Sequence, residues 1–213
     1  MDSSDPTSEN EKVGLGIDVP RKKPQVLLAA CGCAAGVKFT LLCHCFLKWA
    51  EVRAVVTKSS LHFIDAISIP KDVFVFYDEH ELCSTQKTIG DCVLHTELCK
   101  WADIMVIAPL SANTLAKIAG GICDNLLTCI VRTWDQKKPL YAAPSMNKLM
   151  WKNPFTEMHC RSLHELGISL IPPVPRKKAG EEYENGAMDE PFNISYTVKE
   201  EFQNKHVGVV RPC

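Results

Sequence analysis

The stretch Gln25–Gly36 (QVLLAACGCAAG) decides the fold, because an apolar run ends directly in a turn that contains Gly32. Short apolar runs without polar alternation are typical of strands buried on both faces, as in parallel sheets. After the turn, Ala34–Trp49 carries apolar residues at helical spacing. The stretch therefore predicts a first strand at Gln25–Ala30 with a helix packed against it.

The same alternation of strands and helices continues along the chain. Further strands are predicted at Val52–Val56, Val73–Tyr77, Ile104–Ala108, Pro139–Ala143 and Ile168–Ile171, and helices near Ser60–Ala66 and at His95–Trp101, Asn113–Ala119, Leu126–Arg132 and Pro154–Leu166. This alternation implies right-handed βαβ units. We predict a single-domain α/β fold, a doubly wound parallel sheet in flavodoxin-like order. Ligands bind such sheets beyond the carboxyl ends of the strands, so function is expected in the loops after strands one, two, four and five.

Length and composition set the limits of the folded domain. The chain has 213 residues, of which 46% are hydrophobic and 23% charged, as in ordinary globular proteins. Residues 1–23 are polar and lack apolar periodicity, which predicts a disordered arm. The folded domain is predicted over 24–203, and 204–213 is predicted to be a loose tail.

Charge and cysteine usage exclude several classes of protein. The net charge of -1 gives no basic field for nucleic acid or an anionic membrane, and no apolar run approaches the length of a membrane span. The basic run Arg176–Lys178 is more typical of a solvated loop than of a nucleic-acid patch. The eleven cysteines show no ladder of spacings, and Cys31 and Cys33 form C-x-C rather than C-x-x-C. We expect reduced thiols in a cytoplasmic protein without a structural metal.

Each expected binding loop has a structural and a functional interpretation. The first turn matches neither G-x-G-x-x-G nor a Walker A loop, so Gly32 serves a tight turn or lets an anion approach a helix end, with equal weight. After strand two, the hydroxyls of Thr57–Ser60 favour a helix cap over phosphate binding. After strand four, Ser111, Asn113 and Thr114 fit a cap and a polar ligand equally well.

The loop after strand five and one histidine complete the candidates. Met146, Met150 and Trp151 surround Asn147, and this pattern favours core packing around a cap over an apolar wall against a flat ligand. His95 follows the glycine-containing loop 89–94. A lone histidine is usually structural, but an imidazole titrates near neutral pH and is the best general base for a metal-free site.

Four stretches of the chain resemble one family: VLHTELCKWAD, IAPLSANTLAKIAGGICDNLLTC, APSMNKLMWKNPFTE and ENGAM. They are similar to phosphopantothenoylcysteine decarboxylases, specifically the plant halotolerance flavoproteins. The resemblance runs from about Pro24 to about Pro191. The pattern P-x-M-N-x-x-M-W, present here from Pro144 to Trp151, is specific to the homo-oligomeric flavin-containing Cys decarboxylases.

The resemblance implies a flavodoxin-like fold, FMN as cofactor and usually a homotrimer with its sites near subunit contacts. The implied FMN contacts are Gly32, Cys33, Ala34, Thr57, Lys58, Ser59, Ser111, Ala112, Asn113, Thr114 and Ser145. The resemblance makes His95 the catalytic histidine and Asn147 the residue that holds the substrate carboxylate. It also places Arg176, Lys178 and Met188 in a flap that closes over the substrate.

The implied reaction is an FMN-dependent oxidative decarboxylation of 4′-phosphopantothenoylcysteine in coenzyme A biosynthesis. A carboxylate beside an amide nitrogen leaves only when an electron sink is created. Oxidised FMN takes a hydride equivalent from the cysteine Cβ–S unit, and the resulting thioaldehyde accepts the electrons as carbon dioxide leaves, which gives an enethiol. Reduced FMN then returns the hydride, with a flap cysteine as proton donor.

Two positions depart from the family pattern. Gly180 stands where the flap cysteine is expected, and Cys33 replaces the usual serine of the first turn. Three hypotheses follow, and the first two are favoured. The chain is a decarboxylase that stops at the enethiol, a decarboxylase of another amino-acid-like carboxylate, or a non-catalytic regulatory subunit. The third would assemble with a complete homologue or inhibit a phosphatase, as fungal relatives do.

Overall fold

The protein is described here by a computed structural model, which covers residues 23–84, 93–176 and 184–207. Its centre is a parallel sheet of six strands in the order β3-β2-β1-β4-β5-β6. The strands are β1 (Gln25–Ala30), β2 (Glu51–Val56), β3 (Phe74–Phe76), β4 (Ile104–Leu110), β5 (Leu140–Pro144) and β6 (Ser169–Leu170).

The strand order confirms the predicted doubly wound parallel sheet. The six strands lie in the order 3-2-1-4-5-6, and leaving out the edge strand β3, which pairs with β2, gives the order 2-1-3-4-5 of flavodoxin-like sheets. The direction of winding reverses between β1 and β4, which are paired in register from Val26 opposite Ile104 to Ala29 opposite Ile107. A crevice therefore opens at the carboxyl ends of these two strands.

Helices cover both faces of the sheet. They are α1 (Phe39–Leu47), α2 (Asp78–Ser84), α3 (Leu94–Trp101), α4 (Ala112–Ala119), α5 (Leu126–Thr133), α6 (Lys148–Trp151), α7 (Pro154–Glu165) and α8 (Pro191–Val207). One apolar cluster joins α1 and α8 to the sheet, and a second joins α3, α4, α5 and α7 to its other face. Within the described ranges, no helix is both long enough and apolar enough to cross a bilayer.

The predicted helix near Ser60–Ala66 is wrong. The chain forms two short 3₁₀ turns there, Lys58–His62 and Ala66–Ser68, separated by a break at which Asp65 accepts a hydrogen bond from the Ile67 N–H. The apolar side chains of this stretch do not share one buried face, since Ile67 is almost fully exposed while Ile64 is buried. An α-helix here would therefore gain little from packing.

Other boundaries needed smaller corrections. The predicted helix Ala34–Trp49 starts as a 3₁₀ turn, Ala34–Lys38, before α1 begins at Phe39. Helix α8 continues through Val207, and the remainder of the tail predicted at 204–213 lies outside the described residues. The arm predicted at 1–23 lies outside the described residues apart from Lys23.

A small antiparallel hairpin lies beside the sheet and was not predicted. It pairs β7 (Val174–Arg176) with β8 (Glu184–Ala187). Gly186 has a φ of 121°, and a Cβ at this position would lie 2.7 Å from the Met146 carbonyl oxygen. The Met146 N–H donates to the Gly186 carbonyl at 3.0 Å. Glycine lets the hairpin pack directly on the loop after β5.

Candidate functional site

A cavity of about 680 Å³ opens at the carboxyl ends of β1, β4 and β5. The first turn, the loops after β4 and β5 and the hairpin all contribute to its lining. The lining includes the predicted site residues Gly32, Cys33, Ala34, Ser111, Ala112, Asn113, Ser145, Asn147 and Met188. Nine predicted site residues from four separate stretches of the sequence therefore meet at one edge of the sheet.

The loops after β1 and β2 touch at Gly32. A Cβ at this position would lie 2.5 Å from Ser59 Oγ and 2.9 Å from the Ser59 carbonyl carbon, so only glycine fits without displacing the second loop. Thr57 Oγ1 lies 3.2 Å from Ser59 Oγ. Thr57, Lys58 and Ser59 do not line the cavity, and Ser59 is the residue of this loop that packs against Gly32 of the first turn.

The turns after β1 and β2 leave backbone N–H groups without side-chain caps. Neither Cys33 nor Thr57, the residues that precede these 3₁₀ turns, makes a capping hydrogen bond with its side chain. The cap interpretation favoured for Thr57–Ser60 is therefore wrong for Thr57. The first N–H groups of a helical turn that lack a partner are suited to an anion.

The two cysteines of the first turn are neutral thiols. Burial raises the pKa of Cys31 to about 11, although hydrogen bonds from Thr114 and Ser111 oppose the shift. Burial also raises the pKa of Cys33, against hydrogen bonds that include one with Ser145. Cys33 thus lines the cavity as a weak hydrogen-bond donor rather than as a thiolate.

The loop after β4 divides its polar side chains between structure and cavity. Ser111 caps α4, since its Oγ accepts from the Thr114 N–H at 3.3 Å and donates to Thr114 Oγ1 at 3.2 Å. Ser111 and Thr114 are both buried, whereas Asn113 is exposed and lines the cavity. Of the two interpretations left open by the sequence, the cap holds for Ser111, and Asn113 is available to a ligand.

Asn147 has a fixed orientation at the cavity wall. Its Oδ1 accepts a hydrogen bond from the Met150 N–H at 2.9 Å and so caps α6. The oxygen is committed to the helix, which leaves the NH₂ group, and an amide NH₂ only donates. Asn147 therefore combines the cap predicted from the sequence with a donor that suits a carboxylate.

Both methionines of the same loop line the cavity. Met146 is partly buried and also packs on the apolar cluster beneath it, so the core packing favoured by the sequence holds for one side of this residue only. Met150 is 46% exposed and lines the cavity, so the prediction of core packing is wrong for this residue. A flat apolar ligand would find a thioether wall here.

An ion pair at the cavity was not predicted. Lys38 Nζ lies 2.6 Å from Glu190 Oε1, and both residues line the cavity. The pair joins the end of the first turn to the segment before α8, 152 residues away in the sequence. Only the tertiary structure brings these residues together, so no local signal could have identified them.

The residues predicted to form a flap over the substrate are only partly described. Met188 is 2% exposed and lines the cavity. Arg176 ends β7, but the structure does not describe its side chain. Lys178 and Gly180, and with them the predicted loss of the flap cysteine, lie outside the described residues.

His95 lies apart from this cavity within one chain. It is the second residue of α3 and is not among the residues that line the cavity. Its Nδ1 lies 2.6 Å from Glu81 Oε1, and its backbone N–H donates to Glu81 Oε2 at 3.1 Å. In the described ranges, no three His, Cys, Asp or Glu side chains are grouped as a metal site.

The fold and the cavity define a class of protein: a doubly wound α/β protein with a ligand cleft at the point where its sheet reverses direction. Comparison with known families identifies the family within this class. The family model described as Flavoprotein matches residues 18–203, and the chain belongs to this family.

Individual relatives are similar over almost the whole chain. "Phosphopantothenoylcysteine decarboxylase HAL3b" of Glycine max is 60% identical over 205 residues, which are 96% of this chain and 95% of the relative. The solved structure "The FMN binding protein AtHal3" is 62% identical with a TM-score of 0.82, over 86% of this chain and 98% of that one. A PPC decarboxylase mutant complexed with pantothenoylaminoethenethiol gives the same identity and TM-score, over 85% and 100%.

Proposed function

We propose that this chain is an FMN-dependent decarboxylase that acts on 4′-phosphopantothenoylcysteine in coenzyme A biosynthesis. One observation carries the proposal. The loop that is specific to Cys decarboxylases presents Asn147 at the cavity, with its oxygen held by α6 and its NH₂ group left to donate. Relatives named for this reaction and this cofactor match nearly the full chain.

The residues at the cavity fit FMN. A volume of about 680 Å³ is within the range of small-molecule sites. Small residues at Gly32 and Ala34 allow close approach to the backbone, and the uncapped N–H groups of the first turn suit the phosphate. Met150 offers an apolar surface to the ring. When bound, FMN supplies a two-electron acceptor for the thiol-bearing carbon of the substrate.

The chain's own residues orient the substrate and move its protons. The NH₂ group of Asn147 donates to the substrate carboxylate, and Met188 forms part of the apolar wall. His95 takes the proton that must leave the substrate. Arg176 and Lys178 stay predictions as further substrate contacts. Since Gly180 has no side chain to donate a proton, the enethiol is the proposed end product. Release of the enethiol is a net two-electron oxidation, so repeated turnover would need dioxygen or another electron acceptor to reoxidise the flavin.

The position of His95 supports an oligomeric site. Within one chain His95 does not line the cavity that holds Asn147. We therefore propose a homotrimer in which His95 of one subunit completes the cavity of the next. A heteromer with a complete homologue is the alternative. Mixed oligomers of His95→Asn and Asn147→Asp chains test this arrangement, because they recover activity only if the two residues of one site come from different subunits.

We also propose that the protein works in the cytoplasm. All eight cysteines that the structure describes are free thiols, as expected in a reducing compartment. Fractionation of cells that express a tagged chain tests this placement. Recovery of the protein with membranes or in the secreted fraction would contradict it.

The function is tested with the full chain reconstituted with FMN and given 4′-phosphopantothenoylcysteine. The expected result is flavin absorbance in the purified protein, release of carbon dioxide, and a product whose mass lacks two hydrogens relative to 4′-phosphopantetheine. His95→Asn should abolish release, while His164→Asn, which changes an exposed histidine of α7, should not. A colourless protein that cannot bind FMN would instead support the regulatory subunit. Release from another amino-acid-like carboxylate alone would support the second hypothesis.

A further inference from the structure

Glu81 contacts His95 at two points. The first turn of α2 brings the Glu81 carboxylate to the start of α3, where Oε1 lies 2.6 Å from His95 Nδ1 and Oε2 accepts from the His95 N–H at 3.1 Å. Both carboxylate oxygens thus bind one residue. The first contact fixes the imidazole ring and the second fixes the backbone that carries it.

The helix that carries Glu81 is itself anchored. Asp78 Oδ1, in the first turn of α2, accepts from the Leu126 N–H at 3.0 Å, which ties α2 to the start of α5. Immediately before α2, the Tyr77 N–H donates to His80 Nδ1 at 3.2 Å. The carboxylate therefore reaches His95 from a helix that is held at its beginning.

The Glu81–His95 contact is shielded from solvent. The His95 and Glu81 side chains are 23% and 16% exposed. Charges and hydrogen bonds interact more strongly where water is partly excluded. This contact therefore differs from the exposed ion pair of Arg161 with Glu157, whose side chains are 71% and 80% exposed.

The contact determines which ring nitrogen of His95 carries the proton. An ionised carboxylate only accepts hydrogen bonds, so Nδ1 must be the protonated nitrogen of the neutral ring. The lone pair then lies on Nε2, on the opposite side of the ring. A base oriented by a third group in this way is ready to take a proton, and the carboxylate stabilises the cation that results.

We propose that Glu81 is a positioning residue for the reaction: it holds His95 with Nε2 as the proton acceptor. The proposal rests on the proposed function, in which His95 takes the substrate proton. A purely structural role is the competing explanation, because Val93 gives α3 no side-chain cap and Glu81 Oε2 supplies one from outside the helix. The two roles predict different effects of the same substitution.

Glu81→Gln separates the two roles. The glutamine oxygen can still accept from the His95 N–H and keep the cap, but its NH₂ group then faces Nδ1 and donates to it. Nδ1 must lose its proton, and the proton moves to Nε2, the nitrogen needed as acceptor. Nitrogen NMR of histidine-labelled full-length protein, with His95 assigned by its loss in His95→Asn, reads this change directly.

The expected result is a change of His95 from the Nδ1–H to the Nε2–H form in Glu81→Gln. The kcat of decarboxylation should fall by about 10²-fold, with KM and FMN binding within about twofold. Glu81→Asp keeps the charge on a shorter side chain and should retain the Nδ1–H form with a smaller loss. Glu79→Gln, an exposed acid of the same helix, should change neither property.

Every other outcome contradicts either the positioning role of Glu81 or the proposed decarboxylase function on which that role rests. An unchanged tautomer in Glu81→Gln, with or without a loss of rate, would overturn the positioning role. If Glu81→Gln does not fold, two other results would overturn the positioning role. One is an Nε2–H form of His95 in the wild-type protein, and the other is an unaltered rate of decarboxylation in Glu81→Asp. If wild type releases no carbon dioxide while the tautomer changes as expected, the proposed function fails and the orientation of His95 by Glu81 stands.

Discussion

The two ends of the sheet use their polar groups differently. At the carboxyl ends of the strands, the NH₂ of Asn147 and the side chain of Asn113 border a cavity of about 680 Å³. At the amino ends of β5 and β6, a cavity of about 120 Å³ is lined by Trp134 and Lys138, among others. Here the polar groups bind the protein itself: Lys138 Nζ donates to the Cys99 carbonyl at 3.0 Å and to the Ala102 carbonyl at 2.9 Å.

The contrast separates residues that stabilise the fold from residues that are available to a ligand. At the amino end the Lys138 ammonium is satisfied by the protein itself, since it lies at the carboxyl end of α3, where cations are favoured. The carboxyl end leaves donors that gain their full complement of hydrogen bonds only from a bound molecule. Substitutions at the two ends should therefore affect different measurements.

Asn147→Asp should give the largest effect, and this effect should be on enzyme activity and not on the free energy of unfolding. Aspartate caps a helix as well as asparagine does, so the free energy of unfolding should change by less than about 0.5 kcal/mol. A second carboxylate beside that of the substrate is repulsive, and kcat/KM should fall by about 10²-fold or more. Carbon dioxide release and denaturant unfolding of the same preparation measure the two quantities.

The matched control for Asn147→Asp is Asn153→Asp. Asn153 caps α7, with Oδ1 accepting from the Phe155 N–H at 3.0 Å, and does not line the larger cavity. Its substitution should leave both activity and stability close to wild type. Equal loss of activity in the two variants would remove the distinction between a cap and a ligand-binding group.

Lys138→Met should give the opposite result at the amino end. Two charge-assisted hydrogen bonds to the end of α3 are lost together with the contact of the Lys138 ammonium with the Trp134 ring, so the free energy of unfolding should fall by about 1.5–3 kcal/mol. Decarboxylation by the folded enzyme should be unchanged. Lys137→Met, at the exposed neighbouring position, is the control for loss of charge. A variant with normal stability and no activity would contradict the comparison.

The smallest effect is expected for an ion pair that lines neither cavity. Lys117 donates to Asp124, and this hydrogen bond lowers the pKa of Asp124. Because the pKa of Asp124 is lower in the folded than in the unfolded protein, the ionised carboxylate stabilises the fold at any pH above the unfolded pKa of about 3.9. This stabilisation is lost as the pH falls through the pKa that Asp124 has in the folded protein. The pair is exposed, so its contribution is below about 1 kcal/mol.

Thermal unfolding of Lys117→Met and wild type tests this sign. The variant should unfold at most about 4 °C lower at about pH 7, and the two proteins should converge at about pH 2. Arg161→Met, which removes the exposed partner of Glu157, should show a smaller difference. If the difference in unfolding temperature between variant and wild type becomes larger at acidic pH, the pair does not act through the Asp124 carboxylate.

The sequence predicts the sheet better than its surroundings. Strand β1 lies at the predicted residues, because its apolar run indicates a buried strand without reference to any distant residue. Helix α6 is only four residues long, and the residues of β8 (ENGA) lack the alternation that marks a strand. The residues of β8 meet the loop after β5 through the hydrogen bond from the Met146 N–H to the Gly186 carbonyl, a long-range contact that no local pattern encodes.

The same limit applies to the candidate site. The loops were located by the rule that ligands bind at the carboxyl ends of parallel strands, and the family motif identified Asn147. The partner of His95 could not be predicted, since Glu81 lies fourteen residues away on another helix. Capping and ligand binding also use the same residue types, so Ser111 and Asn113 could be separated only by their burial.

The cap at Asn147 has a consequence for affinity. A side chain that is held by the helix it precedes has already given up its rotational freedom when the chain folds. A molecule that binds to its NH₂ group therefore loses little further conformational entropy at this contact. The entropy cost of fixing this side chain is met once, when the protein folds, and the amide is already oriented when each ligand binds.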